Sequence, residues 1–406
     1  MALRWLQPDG KKLLAARTLR TFGYGYLAVA LGLYLQQLGL SAAAVGVVLA
    51  AAVAGSAVMN VLWALLADRY GRRRTVATMA ALMVAGGLLF AVTDRLGLLI
   101  LGALTGTVSA SSAEVGPFVT VEQAILPQTA PAERRTWLFA VYDTLGNLAG
   151  AAGALFTSAV GLFARLGLAG ASAYRPLFIL YAVIGLANLL LFLGLSDGVE
   201  SARIEGARRF VGLHRSRGVV ARLSALFGLD ALAGGFVLQS IVAYWFHLRW
   251  GLSPGALGLL FFWVGVLSGL SLLAAGWMAR RFGLLNTMVF THLPSNVLLV
   301  LVPLAPAAWL AVLLFLARMS VSQMDVPTRK SYTMAVVDPD ERTAAAGITN
   351  VARTAAGAIS PVLSGVALGA GMFALPFVVA GGLKVLYDGL IYVTFRGVRP
   401  PEEVAR

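Results

Sequence analysis

Apolar runs of 18 or more residues recur along the whole chain, separated by short polar segments. They predict twelve spans, at about 17–38, 42–67, 74–93, 96–118, 136–164, 174–195, 220–247, 254–279, 284–303, 307–327, 342–369 and 373–396. Each is long enough to cross roughly 30 Å of hydrocarbon at about 1.5 Å per residue with some tilt. Backbone polar groups must be paired inside a bilayer, so the spans are helices or barrel strands, and their length excludes strands of about ten residues. The fold class expected is an all-α membrane protein. Pro117, Pro294, Pro361 and Pro376 fall inside spans and read as tolerable kinks.

The polar segments set the orientation. Even-to-odd connections and both termini carry 25 Lys and Arg, against 4 in the other connections. By the positive-inside rule both termini are cytoplasmic, and an inner (plasma) membrane is the expected location. This changes the meaning of the net charge of +14, which in a soluble protein would suggest nucleic acid. With 59% hydrophobic and only 12% charged residues, it records charge held on one side of a membrane instead. The chain has no cysteine, so disulfides and thiolate chemistry are excluded. The basic N-terminus and long first run read as an uncleaved span.

The longest polar segment, 196–219, divides the chain into an N-terminal bundle, 1–195, and a C-terminal bundle, 220–406, of six spans each. A midpoint linker suggests duplication. "APAERRT" (130–136) resembles "VDPDERT" (337–343), with Pro131, Glu133 and Arg134 falling on Pro339, Glu341 and Arg342 at an offset of 208. "ADRYGRRR" after span two has a weaker echo in "ARRFGLL" (279–285) after span eight. Two parallel halves with a site between them are a transporter architecture.

Between spans two and three the chain reads Ala64-Leu-Leu-Ala67-Asp68-Arg69-Tyr70-Gly71-Arg72-Arg73-Arg74. This resembles the signature loop of the major facilitator superfamily, G-x-L-A-D-R-x-G-R-R-x, departing only at Ala64. The resemblance implies the major facilitator fold and a gating latch built on Asp68, Arg69, Gly71, Arg72 and Arg73. In it the aspartate docks near the start of span eleven and the arginines pair with acids; Glu122, Glu133 and Asp143 are the candidates. The glycine-rich "GNLAGAAGA" (146–154) only vaguely resembles the motif of drug exporters, and close helix packing explains it equally. Gly102 stands where that branch carries an arginine.

Ionisable groups inside a membrane are costly, so each is a functional hypothesis. Asp230 and Glu114 are candidate proton-coupling acids; the alternatives are structural pairs, Asp230 with an arginine such as Arg353 and Glu114 with a cytoplasmic arginine. Helical spacing puts Thr107, Ser111 and Glu114 on one stripe, and Arg318, Ser322 and Asp325 on another. Arg318 and Arg353 read as anion ligands or as charge-balancing bridges. Lys384 and Asp388, four apart on span twelve, read as a local structural pair. Tyr24 and Tyr244 share helical faces with Arg20 and Asp230 and are candidate substrate contacts. His247 and His292 have no metal-ligand company in the sequence.

No phosphate-binding loop, zinc-protease motif or nucleophile elbow is present, so enzymatic chemistry is not expected. The expected function is secondary active transport of a small organic molecule by alternating access, with proton-coupled export favoured by the resemblance. An organic-anion carrier using the intramembrane arginines, or a non-transporting receptor of the same fold, are the alternatives. The expected partners are the lipid bilayer, a small-molecule substrate and a coupling proton, with no cofactor, metal or nucleic acid, and the chain is expected to be a monomer.

Overall fold

The computed structural model describes residues 5–112, 116–200, 213–338 and 341–397, without the side chains of residues 64, 68, 132, 136 and 343. Glu114 and the side chain of Asp68 therefore lie outside what is described. All regular structure among the described residues is helical. The main helices are α1 (Pro8–Gln37), α2 (Ala42–Tyr70), α3 (Arg72–Val92), α4 (Leu96–Leu104), α5 (Pro117–Ile125), α6 (Arg135–Phe156), α7 (Ala159–Arg165), α8 (Arg175–Leu193), α9 (Arg217–Gly235), α10 (Gln239–Trp250), α11 (Pro254–Phe282), α12 (Leu284–Leu301), α13 (Ala308–Val321), α14 (Asp325–Ala335), α15 (Arg342–Gly357), α16 (Ser360–Gly369) and α17 (Leu375–Phe395).

Ten described stretches are long and apolar enough to cross a membrane. The two other expected spans differ for physical reasons. Helix α1 carries charge within its length and is buried all round from Gly23 to Leu35, so it needs no lipid-facing stripe. Span four is interrupted: α4 stops at Leu104 and α5 starts at Pro117. Thr107 and Ser111 of the expected stripe therefore do not share a helical face, because residues 105–112 are not helical, and its third member, Glu114, lies outside the described residues. The unwound backbone has its own partners. Ser112 N–H donates to Gln239 Oε1 at 3.0 Å, and Ser240 N–H donates to Ala110 O at 3.2 Å. Irregular backbone at membrane depth is tolerated only when protein covers it in this way.

Spans five, seven, ten and eleven each comprise two helices, α6/α7, α9/α10, α13/α14 and α15/α16. Of the four prolines read as kinks, only Pro294 lies inside a helix. Pro117, Pro361 and Pro376 occupy the first turns of α5, α16 and α17, where the missing N–H has no helical partner to lose.

The chain forms two compact units, residues 1–205 with 238–265, and residues 206–237 with 266–406. In the first, α1 packs on α6, α8 and α10, and α3 packs on α8. Helices α1 and α6 meet at glycines: a Cβ on Gly25 would lie 2.1 Å from Gly150 O. The glycine-rich stretch of α6 is thus a close-packing surface. In the second unit α9 packs on α15 and α17, and α12 on α13, α14 and α17. Gly235 repeats the device, with a Cβ there 2.5 Å from Gly357 O.

Candidate functional site

The second unit holds a cluster of buried ionisable groups. Helix α9 supplies Asp230, 4% exposed. Helix α14 begins with Asp325 and places Arg329 one turn later, so the pair shares a face. Arg329 NH1 donates to Asp325 Oδ2 at 2.9 Å and to Asp230 Oδ2 at 3.1 Å. Helix α15 brings Arg353, whose NH1 donates to Asp230 Oδ2 at 3.2 Å. Helix α17 brings Lys384, whose Nζ donates to Asp230 Oδ1 at 2.5 Å. One carboxylate therefore ties three helices to α9.

Arg318, in the last turn of α13, lies within electrostatic reach of Asp325 and Asp230 but forms no ion pair with a described residue. Its NH1 meets Met319 Sδ at 3.1 Å, and its buried Nε has no hydrogen-bond partner among the described residues. The expected stripe of Arg318, Ser322 and Asp325 is broken, because the helix stops at Val321 and restarts at Asp325.

Lys384 and Asp388 do not form the local pair expected from their spacing. Lys384 is drawn to Asp230, which has a free acceptor oxygen facing α17. Asp388 instead accepts from Asn296 Nδ2 at 2.8 Å and meets His292 Nδ1 at 2.8 Å, both on α12. Asp388, His292 and Asn296 are buried.

The first unit holds a second buried ion-pair group. Arg20 is bidentate on Glu122, NH1 to Oε1 at 3.0 Å and NH2 to Oε2 at 2.8 Å. Tyr142 Oη donates to Glu122 Oε2 at 2.6 Å, and Arg20 lies over the Phe118 ring. Arg17 reaches Asp143 at 3.5 Å, its Nε bonded to Tyr142 O, in space that Gly146 leaves open. Glu122 and Asp143 are thus engaged by Arg20 and Arg17 of α1. Tyr24 and Tyr244 are buried, the first beside the Tyr181 ring and the second against Gly32.

The signature loop has partners at 196–200. Gly71, with φ of 101°, turns the chain from α2 directly into α3, a conformation glycine adopts without strain. Glu200 accepts the N–H groups of Arg72 and Arg73 at 2.7 and 3.2 Å. Asp197 pairs with Arg73 at 3.6 Å, and Arg72 NH1 donates to Ala124 O. Arg69 lines the same cleft. In the second unit Gly283, with φ of 86°, joins α11 to α12 in the same single-residue turn.

Sequence reasoning missed Arg20, Arg17 and Arg329, counting them among the charges that set topology. The signal was present for Arg329, in the i, i+4 relation to Asp325.

A family model described as the Major Facilitator Superfamily matches residues 13–361. An uncharacterized membrane protein of Saccharomyces cerevisiae is 26% identical over 96% of this chain and 94% of its own. Among solved structures, a bacterial homologue of the human lysosomal transporter Spinster, inward-facing and occupied, aligns with a TM-score of 0.76 at 14% identity, covering 95% of this chain and 96% of its own. A D-xylose-proton symporter aligns with a TM-score of 0.72 at 17% identity, covering 94% and 97%.

Proposed function

The chain belongs to the Major Facilitator Superfamily, and from that premise we propose that it is a secondary active transporter for a small organic molecule bearing negative charge. It works by alternating access of two six-span bundles, 1–195 and 220–406, joined by the linker 196–219. Both chain termini face the cytoplasm of an inner (plasma) membrane, and the chain acts as a monomer. The observation that carries the substrate class is Arg318. It is a basic side chain beside the Asp230 cluster with, among the described residues, no carboxylate bonded to it and its Nε unpaired. Around it, Arg329, Arg353 and Lys384 are bonded to Asp230, so basic groups outnumber the carboxylates Asp230, Asp325 and Asp388. A cationic site of low dielectric favours an anion, and guanidinium groups match carboxylate or phosphate oxygens geometrically.

Mechanistically, substrate and Asp230 compete for the same cations. An anion that draws Arg353 or Lys384 away leaves Asp230 free to take up a proton, which links substrate to proton movement. Asp230 is thus the coupling acid and Arg318 and Arg353 the substrate ligands; Glu114 keeps its proposed coupling role. Outward movement is the direction the signature loop favours, as in a proton-coupled antiporter.

The test is transport in proteoliposomes with a pH-sensitive dye inside and a panel of organic anions outside and inside. Anion-dependent proton movement that Arg318→Ala slows at least tenfold supports the reading. Uptake of neutral solutes alone, unchanged in Arg318→Ala, overturns the anion assignment. Ligand binding with no flux of any solute would favour a receptor.

A further inference from the structure

We propose that His292 and Asp388 form a proton-binding pair of their own, linked to Asp230 through Lys384. The proposal rests on the transport reading above only for its purpose, since the pair is a geometric fact of α12 and α17. His292 Nδ1 stands 2.8 Å from Asp388 Oδ1, and Asn296 Nδ2 donates to Asp388 Oδ2. Nδ1 also lies 3.1 Å from Asn296 Nδ2; with Asp388 ionised, which can only accept, Nδ1 carries the hydrogen and Nε2 is the place for an arriving proton. Both side chains are buried, at 3% and 0% exposure, where a change of charge is felt strongly by neighbours.

Lys384 is the link. It lies one turn from Asp388 on α17 and bonds Asp230 on α9. With His292 protonated, Asp388 is balanced and Lys384 stays on Asp230. With His292 neutral, Asp388 is an uncompensated buried anion at i+4 from Lys384 and pulls it off Asp230. A proton on α12 thereby decides how many cations hold the carboxylate on α9. Tyr387 on α17 sets its ring T-shaped against His292, and α14, which packs on α12, carries the ionisable groups Asp325, Arg329 and Tyr332. Helix α13, also packed on α12, carries Arg318.

A second, independent observation supplies a route. Thr287, Thr291, Ser295, His292 and Asn296 make a buried polar stripe along α12. Thr287 Oγ1, Ser295 Oγ and Asn296 Oδ1 on it have no hydrogen-bond partner among the described residues. Buried polar groups of this kind call for water, and a file of them beside a titratable pair suits proton passage.

The chain has three histidines, so the test is direct. In protein labelled with 15N-histidine in detergent, the His214, His247 and His292 signals are assigned with His→Gln variants and followed from pH 5 to 9. We expect the His292 signal to titrate. Lys384→Met and Asp230→Asn should each change its proton affinity at least threefold, with His247 unmoved. A His292 signal constant over this range, or titrating identically in Lys384→Met, Asp230→Asn and the wild type, overturns the proposal. Failure of the transport reading would leave this titration intact. Success of transport with a silent His292 would remove the pair from the coupling path. Circular dichroism of each variant shows whether it is folded, and Lys384→Arg should restore the wild-type response if charge is what matters.

Discussion

Arg20 of α1 and Glu122 of α5 form a two-pronged ion pair with both side chains at 0% exposure. The second unit holds its counterpart with the charges exchanged, an acid on α9 (Asp230) and a guanidinium on α14 (Arg329). The first and fourth spans of each half are thus joined by one buried ion pair, of opposite polarity. The close approaches Gly25–Gly150 and Gly235–Gly357 join the first and fifth spans in the same parallel way.

The first prediction follows from burial. Glu122→Ala strands the Arg20 guanidinium without a carboxylate and should cost about 3–5 kcal/mol, the range for breaking one side of a buried pair. The double substitution Arg20→Leu with Glu122→Leu should recover most of that loss, since two apolar groups need no solvation. Unfolding followed by tryptophan fluorescence in detergent distinguishes the two. Equal stability of Glu122→Ala and the wild type would show that the pair contributes nothing.

Glu200 acts on the signature loop as a cap. Its carboxylate takes the first two N–H groups of α3, which have no partner within the helix, and sits at the positive end of the helix dipole. Glu200→Ala should lower stability by about 0.5–2 kcal/mol, as loss of a helix cap does. Glu200→Asp, too short to span both donors, should fall between. Chemical denaturation in mixed micelles measures it. No difference between Glu200→Ala and an Asp197→Ala control would sink the capping role, because Asp197 is exposed and contributes only a surface ion pair.

How much of this was legible in the sequence depends on whether the cause is local. The turn at Gly71 was legible because a short charged segment between two apolar runs leaves room for nothing else. The partners of its arginines were not, since Asp197 and Glu200 come from a segment read only as a linker. Arg329 was read as a loop charge because apolarity ends before α14 does; the helix continues on polar residues that are buried. The breaks in spans four and ten were invisible for a related reason. Gln239 satisfies the unwound backbone at Ser112 from 127 residues away, and no local composition announces that. Lys384 illustrates the limit most sharply. Its neighbour at i+4 was a sound local partner, but a carboxylate 154 residues distant won.

Glycine packing gives a prediction with an internal control. A methyl group at residue 25 would meet Gly150 O at 2.1 Å and Ala154 N at 2.9 Å, both backbone atoms that cannot rotate aside. Gly25→Ala should therefore cost at least about 1–3 kcal/mol through overpacking. Gly389, inside α17, has nothing within 4 Å of the place a methyl would occupy, so Gly389→Ala should be neutral or stabilising by up to about 1 kcal/mol. Thermal unfolding of the two variants side by side tests the pair. Similar melting temperatures would mean that α1 and α6 do not approach as closely as the glycines allow.

The turn before α9 gives a pH dependence. Glu341 is buried and accepts the N–H groups of His214, of Arg215 at 2.9 Å and of Ser216 at 2.8 Å. Burial opposes its ionisation, but the hydrogen bonds from Ser216, His214 and Arg215 outweigh it and hold the carboxyl down at about 2 against an ordinary 4.5. The sign follows from which state binds the proton more tightly. The unfolded chain takes it up first, so Glu341 contributes stability that is fully present above pH 4.5 and is lost as pH falls from there toward about 2. Glu341→Gln, which cannot ionise, should be less stable than wild type at pH 7 and should approach it as the solution is acidified through that window. Melting temperatures of both proteins at pH 7, 5, 4 and 3 give the answer. Curves that run parallel down to pH 3 would mean that the Glu341 carboxylate is not what orders the entry to α9.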